Sequence, residues 1–221
     1  MADQTEDALI REVNEDLREE QMKMLWNRFG GYVIGAAVGV VVIVAGYQGW
    51  KQYDLSNRTN EGNSFYSATL LAESGNKEAA IQAFAQLSVD STSGYGTLAE
   101  FQQAALMADQ GDVKGAAALY EKITKTNAAD IAMSGLANVL GAMLEINAGD
   151  YDEAGMTMRL EAISGDSHPY RYSARELLGL VAMNAGNTAL ALETFTRLTE
   201  DTTTPQGTRE RAKNLVQYLS R

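Results

Sequence analysis

Cysteine is absent from this 221-residue chain, histidine occurs once, as His168, and proline twice, as Pro169 and Pro205. Without thiolates and with a single imidazole there are no materials for a zinc cluster, a nucleophile–histidine pair or a two-histidine metal helix. Disulfides are excluded too, which is compatible with export but does not demonstrate it, since exported proteins need not carry them. A phosphate-cradling loop is also missing. Gly94-Tyr95-Gly96 runs into Thr97-Leu98 and does not complete a dinucleotide motif. His168 precedes Pro169 in a loop, where a solvated or helix-capping imidazole is expected. Carboxylates are plentiful but scattered over polar faces. The expectation is a protein that is not an enzyme, with no catalytic residues, no cofactor and no metal.

Charge is missing from one stretch in a more telling way. Phe29 to Trp50 runs twenty-two residues with no Asp, Glu, Lys or Arg. A helix of that length crosses a bilayer core of about 30 Å. Trp26 and Tyr32 stand at one end, and Tyr47, Trp50 and Tyr53 at the other, as amphipathic rings do at membrane interfaces. A polar stripe, which a soluble helix would show, is lacking over Val33–Gly46. A secretory signal would start basic and carry a shorter core. Here the preceding 28 residues hold eight acidic and four basic side chains, and Val44-Ala45-Gly46 offers only a weak cleavage site. Residues 29–50 are therefore expected to be a retained transmembrane helix in contact with lipid. Arg18, Lys23 and Arg28 before it against Lys51 and Arg58 after it favour a cytoplasmic N-terminus.

Within the span, Gly31, Gly35 and Gly39 fall one below another on a helix face, a spacing that lets a second helix approach closely. That helix could belong to another copy, giving a homodimer, or to a different membrane protein. Residues 1–28 form an acidic tail in which Ile10, Val13, Leu17 and Met24 share one face of an amphipathic helix.

Residues 51–221 carry an internal repeat. Gly75, Gly111, Gly149 and Gly186 recur at spacings of 36, 38 and 37 residues. Asn76, Asp112, Asp150 and Asn187 follow them directly. Alanine stands five residues after each glycine (Ala80, Ala116, Ala154, Ala191), and a large apolar residue nine after (Phe84, Tyr120, Met158, Phe195). Seven residues before each comes a small one: Ala68, Ala104, Ala142 and Gly179. Glycine suits the left-handed close of a helix, and Asn or Asp suits the N-cap of the next. The small columns allow close pairing and the large column fills the space between pairs. Each unit is thus helix, tight turn, helix, and such pairs must stack to bury their apolar faces.

These columns resemble the tetratricopeptide repeat, which implies an α-solenoid of about four helical hairpins; with the N-terminal transmembrane helix before it and a C-terminal capping helix after it, the expected fold is all-α. The repeats are expected at about 54–90, 93–127, 128–164 and 169–201, and the cap at 205–221. The period exceeds the roughly 34 residues of that repeat, and Glu161 falls where the sibling units have Leu87, Ile123 and Leu198. The net charge of −11 disfavours nucleic acid and points to protein partners. By repeat register, Phe65, Phe101, Val139, Met143 and Glu176 are candidates for a concave partner surface.

The complete layout is similar to the YfgM-like ancillary subunits of the bacterial Sec translocon, in an alphaproteobacterial form. The resemblance rests on the acidic tail with Ile10-Arg11-Glu12-Val13-Asn14-Glu15-Asp16-Leu17, on Gly49-Trp50-Lys51-Gln52-Tyr53 closing the span, on Tyr95-Gly96-Thr97-Leu98-Ala99 and on the terminal Thr204-Pro205. It implies a single-pass inner-membrane protein with periplasmic repeats, associated with SecYEG and a membrane-anchored periplasmic chaperone. The alternative is a structural scaffold of another envelope complex, in cell division or outer-membrane assembly.

Overall fold

The computed structural model describes the backbone of residues 3–221, with side chains over 17–18 and 20–221. Ile10 and Val13, assigned to the apolar face of the tail, lie outside the described side chains. Among the described residues there are nine helices and no strand: α1 (Asp3–Glu73), α2 (Lys77–Asp90), α3 (Tyr95–Asp109), α4 (Val113–Thr126), α5 (Ile131–Ala148), α6 (Glu153–Glu161), α7 (Arg171–Asn184), α8 (Thr188–Glu200) and α9 (Gln206–Leu219). The chain divides into two compact units, Met1–Asn57 and Arg58–Arg221. The first is helical throughout its described length. The second holds the end of α1 and the eight helices that follow.

In the second unit the helices pair as hairpins whose turns follow from the glycine column. Gly75, Gly111, Gly149 and Gly186 have φ of 86°, 88°, 74° and 77°, the left-handed region where a side chain is strained. Three of these turns are alike. Gly75 N–H donates to the Ala72 carbonyl and Asn76 N–H to that of Leu71, and the same paired bonds recur at Gly111–Asp112 and Gly186–Asn187. The residue after the glycine then caps the next helix: Asn76, Asp112 and Asn187 accept from the backbone N–H of Ala79, Gly115 and Leu190.

The third turn differs, and it corrects the expected register. Gly149 N–H donates to Glu145 and Ile146 carbonyls, a simpler left-handed close. The cap of α6 is Asp152, which accepts from Gly155 N–H, and not Asp150. Two extra residues therefore stand between glycine and cap, so every later column slips by two. Ala154 is exposed and Met158 is 72% exposed. Their places are taken by Met156 and Leu160, at 3% and 0%. Glu161 likewise gives way to buried Ile163, which joins the Leu87, Ile123 and Leu198 column. Counted from the cap, the buried positions of all four units coincide. An Asp substitution separates the two registers: Ala154→Asp is expected to change stability by no more than about 0.5 kcal/mol. Met156→Asp, burying a carboxylate, is expected to cost about 3 kcal/mol or more. Urea unfolding of the two full-length variants measures both.

Packing follows the small-residue columns. Ala80, Ala116 and Ala191 are all at 0% exposure, as are Ala104 and Ala142, while Ala68 is at 1% and Gly179 is buried. Phe84, Tyr120, Leu160 and Phe195 fill the spaces between hairpins. Each buried large side chain of this kind contributes roughly 1.5–3 kcal/mol relative to exposure. The third hairpin is the loose one. Met156 occupies the place where the other second helices carry alanine, and α6 has nine residues where its counterparts have 13 or 14. A methionine side chain holds two helices farther apart than a methyl group does, and α6 packs thinly against α5 and α7.

Candidate functional site

Two surfaces stand out, one in each unit. In the first, the uncharged stretch presents large apolar side chains outward. Tyr32, Val33, Ile34 and Val40–Val44 are each more than half exposed. Monomeric soluble proteins seldom expose a contiguous apolar surface of that extent. A Cβ added at Gly31, Gly35 or Gly39 would meet nothing within 4 Å, so this glycine face is open to a close neighbour. Helix α5 is also long and apolar enough to cross a membrane, but it is packed among the hairpins, with Ala137 and Ala142 fully buried.

In the second unit, the five residues assigned to a concave partner surface do not come together on an open face. Phe65 packs edge-on against Phe84 with ring centroids 5.3 Å apart, and against Tyr95 at 5.8 Å. Phe101 lies 6.1 Å from Tyr120. Val139 is half-buried against the cluster of Ala142, Ile146 and Leu160. Glu176 is held by the capping helix, since Arg211 donates from Nε and Nη2 to its two carboxylate oxygens at 2.6 and 2.7 Å. Only Met143, at 43%, remains exposed. The reason is physical: the apolar side of each first helix meets the second helix of its own hairpin, Phe65 on Phe84 and Phe101 on Tyr120, so its large residues are consumed by packing.

One electrostatic feature had no sequence signal. Glu61, near the end of α1, gathers the loop between α2 and α3. Its carboxylate accepts from Ser91 Oγ at 2.7 Å, from Thr92 N–H at 3.0 Å and from Ser93 Oγ. The Ser93 hydroxyl is the leading cause, with Ser91 and Thr92 adding to it, of a pKa lowered from 4.5 to about 2. A carboxylate thirty residues from its donors cannot be picked out of a single sequence. Because the folded value lies below the unfolded one, this contribution is complete above about pH 4.5 and is lost as pH falls from there towards 2. Glu61→Gln is accordingly expected to flatten the acid limb of the stability–pH curve over that window and to cost about 1–2 kcal/mol at pH 7. Thermal unfolding across pH reads both.

His168 braces the loop leading into α7. Its Nδ1 accepts from Tyr170 N–H at 3.2 Å where α7 begins, and burial lowers its pKa, which keeps the acceptor form.

A family model described as a tetratricopeptide repeat-like domain matches residues 23–218. No curated protein matches. Among solved structures, the nearly identical TPR-like repeats assigned to a kinesin light chain of Podosopora anserina are similar to this chain at a TM-score of 0.52 and 15% identity, over 71% of this chain and 83% of that one. A second structure of those repeats gives a TM-score of 0.51 with the same identity and coverage. At that identity the likeness concerns the fold alone.

Proposed function

This chain belongs to the tetratricopeptide repeat-like domain family, and from that premise we propose that it is a membrane-anchored interaction protein of the bacterial export machinery, with no catalytic role. A repeat array of this type implies protein partners. The observation that carries the anchoring is the outward-facing, uncharged surface of Phe29–Trp50, which would be costly in water and is favourable in lipid. On this reading residues 29–50 span the inner membrane once, the acidic tail is cytoplasmic and the hairpins stand in the periplasm. The open face of Gly31, Gly35 and Gly39 receives a helix of a membrane partner. Similarity to YfgM-like subunits supplies the partners: SecYEG, and a membrane-anchored periplasmic chaperone acting on newly exported chains.

Cross-linking in native membranes, pull-down of the full-length protein and mass spectrometry of its partners test this. Recovery of translocon subunits with a periplasmic chaperone supports the reading. Recovery of division or outer-membrane assembly proteins in their place retires the translocon and makes the protein a scaffold of that complex.

A further inference from the structure

The thin packing of α6 leaves a groove between it and α8, floored by α7. It encloses about 580 Å³, within the range of built ligand pockets. Leu178, Val181 and Leu198 form the floor, and Leu190, at 48% exposure, stands at its edge. Two cations line the groove, and both are already matched: Arg175 pairs with Asp166, and Arg197 with Glu193. Three carboxylates line it as well, Glu153, Glu161 and Asp201. Asp201 accepts from the Thr203 hydroxyl and N–H and also feels the Arg175 guanidinium, which leaves Glu153 and Glu161 as the rim carboxylates with no ion pair among the described residues. The groove therefore combines an apolar floor with a net negative rim.

We propose that this groove docks a segment of a partner protein that carries one or two large apolar side chains flanked by lysine or arginine. The apolar anchors would fill the floor, and the flanking cations would meet the rim carboxylates. A second copy of this chain is a poor occupant, because the protein carries a net charge of −11 and its N-terminal 28 residues hold twice as many acidic as basic side chains. The proposal deepens the reading of the protein as an interaction module by naming the chemistry of one partner segment. It does not depend on which complex the anchor joins, so the membrane pull-down can fail while this docking stands.

The test is fluorescence anisotropy of a labelled leucine–lysine peptide with the full-length protein in uncharged detergent, beside a twin peptide with glutamate in place of lysine. The lysine peptide is expected to bind saturably and the twin at least about 10-fold more weakly. Glu153→Gln with Glu161→Gln, both exposed, is expected to weaken the lysine peptide about 5-fold, and more at low salt than at high salt. Leu190→Asp should abolish saturable binding. Equal binding of the two peptides, or an affinity unchanged within about twofold in the Gln variant, overturns the proposal. So does a dimer that Leu190→Asp dissociates in the absence of peptide binding, which would make the groove a contact between copies.

Discussion

Replacing Phe195 with alanine is expected to cost about 3–5 kcal/mol and to loosen the C-terminal end of the array more than its beginning. The ring is fully buried among Tyr172, Ala182, Ala191, Leu198 and Ala212, so it joins α7, α8 and α9. It also lies directly against the backbone of Gly179, where an added Cβ would sit only 2.6 Å from a ring carbon. A site shaped so closely around one ring collapses poorly when the ring is removed, which places the cost toward the upper part of the range. Because stability in a repeat array is close to a sum of units and their neighbour contacts, the loss is local. Hydrogen exchange in the full-length variant should show amides of α7–α9 deprotected while those of α2 and α3 keep most of their protection. A loss under about 1 kcal/mol, or one spread evenly over the array, would contradict this account of the packing.

The second large effect concerns the outward-facing apolar helix. Val38→Arg combined with Val42→Arg is expected to move the protein from the membrane pellet to the soluble fraction. Each arginine near the centre of a span costs roughly 2.5–3.5 kcal/mol on insertion scales, and the two lie one helical turn apart, on the same face. Both valines are more than half exposed, so neither substitution disturbs internal packing. Carbonate extraction followed by immunoblotting reads the outcome directly. Retention of the double variant in the pellet would mean that residues 29–50 do not hold the protein in lipid.

Much of the hairpin architecture can be read from residue columns alone, because helix closure and helix pairing place narrow demands on side chains. Gly75, Gly111, Gly149 and Gly186 all adopt the left-handed conformation for which only glycine is free of strain. Ala80, Ala116 and Ala191 are buried because two helices meet there. The third unit resists the same reading because Asp150 and Asp152 are both competent caps and only the second is used. Glu161 in an otherwise apolar column was the visible sign of the slip, and Leu160 and Ile163 are the residues that repair it. The partner surface is less legible still. Whether Phe65 or Phe101 faces a ligand or a packed helix depends on which helix lies opposite, and no spacing within one helix encodes that. Glu61 and the α6–α8 groove belong to the same class, since each is created by segments distant in sequence.

The unusual turn after α5 also makes the molecule workable for labelling. At the other three turns the glycine and the residue after it, which is itself the cap, are locked in consecutive bonds, so added residues would pull a helix out of register. Between Gly149 and Asp152 the chain already accommodates two residues without disturbing the columns: Asp150 pairs with the exposed Lys114, and Tyr151 packs on the core and accepts from Asn184, so the Gly149–Asp150 bond is the freer point. Lengthening a surface loop costs little once the loop exists. A short epitope or dye-accepting tag inserted between Gly149 and Asp150 is expected to leave the melting temperature nearly unchanged, whereas the same insertion between Gly111 and Asp112 should lower it by several degrees. The protein thus carries its own site for a reporter, within the array.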